Sequence, residues 1–184
     1  MKEIDVTKAS RLINCGALIL VSAAYDGCST ITPCAWHMPI SRTPALIGVA
    51  LAKGHFSSEL ITKSKEFVIN IPSWPHLDKV MKCGSVSGKN ADKFAASGFT
   101  SAAAHRLSQA ALVGECLGHI ECALQAVHEI GDHYLFCGQA VYAQADEANF
   151  INDTWDTARS ELIFHLGGKL FFKPTKPEEY KTHA

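Results

Sequence analysis

Apolar residues gather in short runs rich in Val, Ile and Ala, separated by frequent polar turns. That pattern predicts a β-dominated chain with a few helices. The first unit is a hairpin: residues 16–24 (GALILVSAA), the turn dipeptide Asp26-Gly27, then residues 28–35 (CSTITPCA). A third strand is predicted over 45–52, after Thr43-Pro44. Residues 57–65 (SSELITKSK) read as a short helix capped by Ser57 or Ser58, with Glu59 in its first turn. A strand follows at 66–71 (EFVINI) and stops at Pro72. Residues 76–83 suit one or two helical turns, and 84–94 (GSVSGKNADKF) form a turn-rich excursion over the strands. A long hairpin runs through 117–130, turns at Gly131-Asp132, and returns through 134–145. From Thr154 the chain holds a capped apolar piece, a strand-like end around Gly167-Gly168, and a frayed tail over 175–184. Many short strands joined by hairpins imply a closed or nearly closed barrel, which removes exposed edges.

Composition changes this picture little. The 184 residues suit a single domain, 1–184, able to bury a core without staples. Apolar residues at 47% and charged residues at 19% exclude wholesale disorder. A net charge of −1 with scattered lysines argues against a nucleic-acid partner. The apolar run 17–24 is too short to span a membrane and lacks signal-peptide flanks, so a cytoplasmic protein is expected. Seven cysteines stand at 15, 28, 34, 83, 116, 122 and 137 without a CxxC, and read as small buried hydrophobes.

Four segments carry candidate chemistry. Lys53, Gly54, His55, Phe56, Ser57 and Ser58 precede the first helix, where free N–H groups and the helix dipole favour phosphate; a solvated loop with a serine cap reads equally from these residues. The stretch 32–41 (TPCAWHMPIS) offers small side chains and backbone groups to a flat ligand, or anchors the core through its Trp. Residues 83–90 (CGSVSGKN) are not a phosphate-binding P-loop, since the spacing GxxxxGK[ST] is missing. The run 128–133 (HEIGDH) is not HExxH: its histidines are five apart and straddle a turn, so no metal is expected.

Taken in order, TPCAWHMPIS, Pro44, KGHFSSELI, EFVINIP, CGSVSGKNADKF, HEIGDHYLFCGQAV and HLGGKLFF resemble the flavin reductase-like family, in its flavoredoxin branch, over about residues 13–174. The resemblance implies a mainly β fold: an FMN-binding split β-barrel of Greek-key type with a few short helices. It also implies a homodimer with FMN near the subunit interface. Thr32, Pro33, Cys34, Ala35, Trp36, Met38 and Ser41 would then hold the isoalloxazine and ribityl chain, over a floor of Ala50 and Leu51. Lys53, His55, Ser57 and Ser58 would hold the phosphate. Ser85, Ser87 and Lys89 would complete the pocket, and Trp155 would cover the ring. Gly131, Asp132 and His133 match the family's GDH motif, associated with the nicotinamide donor, which His133 would orient. Cys34, beside the flavin, departs from the pattern and reads as a small neighbour.

The expected activity is electron transfer from NAD(P)H through FMN to a small-molecule or protein acceptor, with the flavin supplying the chemistry. No catalytic triad or carboxylate pair is recognisable, and hydride transfer requires none. Two rivals stand beside it: an FMN electron carrier reduced by a protein partner, and a related split barrel acting on a pyridoxamine phosphate or another small ligand.

Overall fold

The computed structural model describes residues 3–14 and 16–178. In chain order the strands are β1 (Gly16–Ala17), β2 (Ile19–Tyr25), β3 (Cys28–Cys34), β4 (His37–Arg42), β5 (Ala45–Ala52), β6 (Glu66–Ile71) and β7 (Ser101–Ala103). They continue with β8 (Ala111–Val113), β9 (Gly118–Ile130), β10 (His133–Ala145), β11 (Phe150–Ile151), β12 (Thr154–Trp155), β13 (Phe164–Gly167) and β14 (Leu170–Phe172). Helix α1 (Phe56–Ser64) lies between β5 and β6, and α2 (Leu77–Ser85) and α3 (Lys93–Ser97) between β6 and β7.

Seven strands form one antiparallel sheet in the order β3-β2-β6-β9-β10-β5-β4. Its two edges, β3 and β4, are consecutive in sequence and joined only by Ala35 and Trp36. Three residue steps reach about 11 Å at most, so the sheet must curl until its edges meet. The Ala50 amide donates to the Trp36 carbonyl at 2.8 Å, carrying the β4–β5 ladder one residue into that junction. This is the split barrel that the resemblance implies, mainly β with a few short helices.

Turn chemistry explains the hairpins. Asp26 and Gly27 both take positive φ (51° and 74°), the twist that a two-residue hairpin needs, and the long β9–β10 hairpin turns at Gly131 and Asp132 as expected. A bulge at Cys137/Gly138 bends β10 where the ring of Phe67 crosses it; a Cβ at Gly138 would sit 2.5 Å from that ring. Phe67, Phe136, Leu60, Ile61 and Val49 fill the barrel, while Leu20, Ile31, Val80, Phe94 and Val113 form a second core under α2 and α3.

Several elements differ from the sequence reading. β4 arises within TPCAWHMPIS, for which no strand was expected beyond residue 35; Pro39 is tolerated because β4 is an edge strand with a register shift at Pro39/Ser41. β1, β7, β8 and β11 to β14 are too short to leave a periodic signal. α1 is not serine-capped: His55 is its N-cap without a side-chain bond, because Ser57 and Ser58 turn into the barrel. Cys34, Cys83, Cys116 and Cys122 are buried, Cys137 is half-buried, and Cys28 is exposed in the first hairpin; Cys15 and residues 179–184 of the expected frayed tail lie outside the described residues.

Two carboxylates hold the loop between β7 and β8. Glu121, fully buried on β9, accepts from the amides of His105 and Arg106 at 2.7 Å and Leu107 at 3.1 Å. Glu66 on β6 accepts from those of Ser108, Gln109 and Ala110. Removing such an acceptor strands the donors it serves. Glu121→Ala should therefore lower unfolding free energy by about 3 kcal/mol in chemical denaturation, and Glu66→Ala, at a more exposed clamp, by less.

Candidate functional site

Edge strand β3 faces a groove that extends from Thr30 to Met38. Its first part is a cleft of about 380 Å³ between β3, the start of α1 and the α2–α3 connection. Thr32, Pro33, His55, Ser85 and Ser87 line it as the sequence suggests, and Thr30, Gly88 and Lys93 join them. The second part, about 400 Å³, is lined by Ala35, Trp36, Met38, Ala50 and Leu135, with Ser10, Ile13 and Asn14 of the N-terminal segment at its side. A smaller hollow connects the two, sharing Pro33, Gly84 and Ser85 with the first and Ala35 with the second.

Unpaired donors converge on the first cleft. Lys93 is only 6% exposed, and among the described residues no carboxylate pairs with it. Burial pushes its ammonium below the ordinary lysine value. Thr30 Oγ1 is buried with no hydrogen-bond partner. Thr32 Oγ1 donates to Ser57 Oγ at 3.0 Å. The start of α1 adds N–H groups that no side chain caps, and no Asp or Glu lines the cleft among the described residues. His55 is depressed first by burial and then by the positive charges of Lys93 and His133. Gly88 closes the rim: a Cβ there would press on Phe56 at 3.0 Å and on Thr30 Cβ at 3.1 Å, so only glycine lets the loop pass this near.

At the far end the Trp36 and His133 rings lie 4.8 Å apart at 34°. Trp36 Nε1 donates to Asn14 Oδ1 at 3.2 Å, and His133 Nδ1 meets Asp132 Oδ1 at 2.6 Å. That contact holds the Asp132 carboxyl below its ordinary value. Of the Gly131-Asp132-His133 turn, the His133 ring thus reaches Trp36 at the edge of the groove.

Other sequence-predicted residues stand elsewhere. Lys53 is turned to the Glu129 carboxylate and lies over the Tyr134 ring at 5.7 Å, while Lys89 faces Glu59 at 3.7 Å on the outer side of α1. Leu51 points into the barrel core, because alternation along β5 sends Ala50 to the groove instead. Ser58 Oγ donates to the Ala52 carbonyl behind the helix start. Ser41 lies beyond the β4 register shift, opposite Leu46. Trp155 packs on Phe150 at another cleft. The Cys34 thiol turns to the carbonyls of Trp36 and Ala50, and burial pushes it up to about 11, which makes it inert at neutral pH.

Lys93 and Thr30 went unselected in the sequence. Lys93 follows Asp92, which caps α3 by accepting from the Phe94 and Ala95 amides at 2.9 and 3.2 Å. Side chains at a helix start lean back toward its N-terminus, here toward the cleft, and that is the signal in the run ADKF.

Comparison with known proteins identifies the family. The family model described as flavin reductase like domain matches residues 12–165. The uncharacterized protein YddH of Escherichia coli is 30% identical over 175 residues, covering 91% of this chain and 92% of that protein. Among solved structures, the flavoredoxin of Desulfovibrio vulgaris is 26% identical with a TM-score of 0.77, covering 92% of this chain and 91% of that one. The FMN-binding domain of a flavin reductases-like enzyme from Shewanella baltica is 25% identical with a TM-score of 0.82, covering 97% and 96%. With its fold, its groove and a matched segment that spans most of its length, the chain belongs to the flavin reductase-like family.

Proposed function

We propose that the chain binds FMN along the groove and passes electrons from NAD(P)H through it to an acceptor. The observation that carries this reading is the buried, unpaired Lys93 beside the partnerless Thr30 hydroxyl: together they ask for a phosphate. Lys93, the α1 amides and the hydroxyls of Thr30 and Ser57 hold that phosphate, with Ser85 and Ser87 beside it. Ala35, Trp36, Met38 and Ala50 receive the ring, in a cleft without a charged side chain among the described residues. The bound flavin supplies two-electron redox chemistry. His133, braced by Asp132 and tilted against the Trp36 ring, orients the donor at the groove's open end.

The protein works in the cytoplasm as a homodimer. No helix among the described residues is long and apolar enough to cross a membrane. Apolar Leu12 and Ile13 are 74% and 85% exposed beside the groove, and Ile40 on β4 is 43% exposed, which a second copy would cover. A second reading, an electron carrier reduced by a protein partner, is favoured by the similarity to a flavoredoxin.

Purified protein incubated with FMN and desalted should keep absorption bands near about 370 and 450 nm. Bleaching of those bands by NADH or NADPH under argon supports the reductase; reduction only by a protein donor selects the carrier, and colourless protein overturns both. Lys93→Ala should weaken FMN binding by roughly 10- to 100-fold in fluorescence titrations, as the loss of a charge-assisted bond implies. Lys53→Ala and Lys89→Ala, whose ammonium groups are engaged elsewhere, should change it less than about threefold.

Binding should also depend on pH. The pKa of His55 is depressed in the free protein, so the ring is neutral above its ordinary value of 6.5. A phosphate dianion favours the protonated ring and raises that pKa. Affinity should therefore increase as pH falls from about 8 toward 6.5, with proton uptake on binding. Calorimetry in buffers of different ionisation enthalpy measures that uptake, and His55→Gln should abolish it.

A further inference from the structure

The hollow that joins the two clefts has a volume of about 310 Å³, and its lining differs from both. Leu18, Val80, Met81 and Phe171 make its wall apolar, and no Lys, Arg, Asp or Glu lines it among the described residues. Only two of its lining side chains carry nitrogen or oxygen: Ser85, shared with the first cleft, and His165 on β13. His165 lines none of the other clefts described above.

Both side chains are left as acceptors. The Ser85 hydroxyl donates to the Lys82 carbonyl at 2.8 Å and keeps the lone pairs on Oγ. His165 Nε2 lies 3.2 Å from the Gly168 carbonyl. A carbonyl only accepts, so Nε2 carries the proton and Nδ1 of the neutral ring keeps a lone pair. That Nδ1 is buried and has no hydrogen-bond partner. Phe171 packs on the ring with centroids 4.9 Å apart at 32°, and Gly167 and Gly168 take positive φ (113° and 63°) in the turn that presents the carbonyl. The ring is thus held where it stands. A buried acceptor without a donor costs the free energy of its lost hydration. An occupant that offsets this cost brings donors and no charge. An ammonium would find no carboxylate in the hollow, and an anion would meet two acceptors.

We propose that the hollow holds an uncharged, hydroxylated chain and that His165 Nδ1 accepts from one of its hydroxyls. This rests on the flavin reading, in which that chain is the ribityl linker between phosphate and ring. His165 then selects a polyol linker over a plain alkyl one.

The test compares FMN with the flavin analogue whose ribityl chain is replaced by a pentyl chain bearing the same terminal phosphate. Both are titrated by flavin fluorescence at pH 8, where an ordinary imidazole is neutral. The wild type should bind FMN about tenfold tighter than the pentyl compound. His165→Phe and His165→Leu, which remove the acceptor with and without an aromatic ring, should each cut that ratio to about twofold or less. They should do so by weakening FMN, with the affinity of the pentyl compound unchanged. His165→Asn, whose amide oxygen stands near the place of Nδ1, should restore the ratio, which a loss of packing on Phe171 would not do. Equal affinity of the wild type for the two flavins, a full ratio in the Phe and Leu variants, or a lost ratio in His165→Asn overturns the proposal and leaves the flavin reading standing. A wild type that binds neither flavin overturns the flavin reading, and the linker assignment with it.

Discussion

The two residues between β3 and β4 impose the constraint on which the molecule depends. Ala35 and Trp36 must connect opposite edges of a seven-stranded sheet, and so short a tether permits only a curled sheet. Curling places the outer face of β3 against α2 and α3, and its inner face against α1. β3 is left as one of the two edges of that sheet, and the groove follows it. The closure of the fold and the location of the site thus have the same cause.

Much of this was legible in the sequence. Asp26-Gly27 and Gly131-Asp132 announced the two large hairpins, because positive φ at a two-residue turn narrows the choice of residues. The apolar runs at β2, β5 and β6 marked the barrel strands. Ala50, His55 and Ser85 could be assigned to the groove because the motifs around them were recognisable in order. The lysines could not be ranked. Lys53, Lys89 and Lys93 are alike as letters, and only the fold turns two of them to glutamates and buries the third. Nor could Ser57 be told from a helix cap, since its partner Thr32 is 25 residues away.

The glutamates at 66 and 121 show a different use of charge. Both stand on central strands, where a carboxylate is costly unless fully bonded, and both are satisfied by consecutive backbone amides rather than by a cation. They fix an otherwise irregular loop against the sheet. In the cleft at Lys93 the opposite arrangement prevails: a cation and amides converge, and among the described residues no acid lines it. The chain completes its electrostatics where rigidity is needed and leaves them incomplete where a ligand is to enter.

A lysine only 6% exposed and without a carboxylate partner among the described residues works against the folded state until an anion arrives. Whatever anion satisfies Lys93 adds its binding free energy to the stability of the whole barrel. In a cell, freshly made chains then open more often than loaded ones and are cleared sooner by proteases. If an anion does bind there, the steady-state amount of the protein would rise with the supply of that anion.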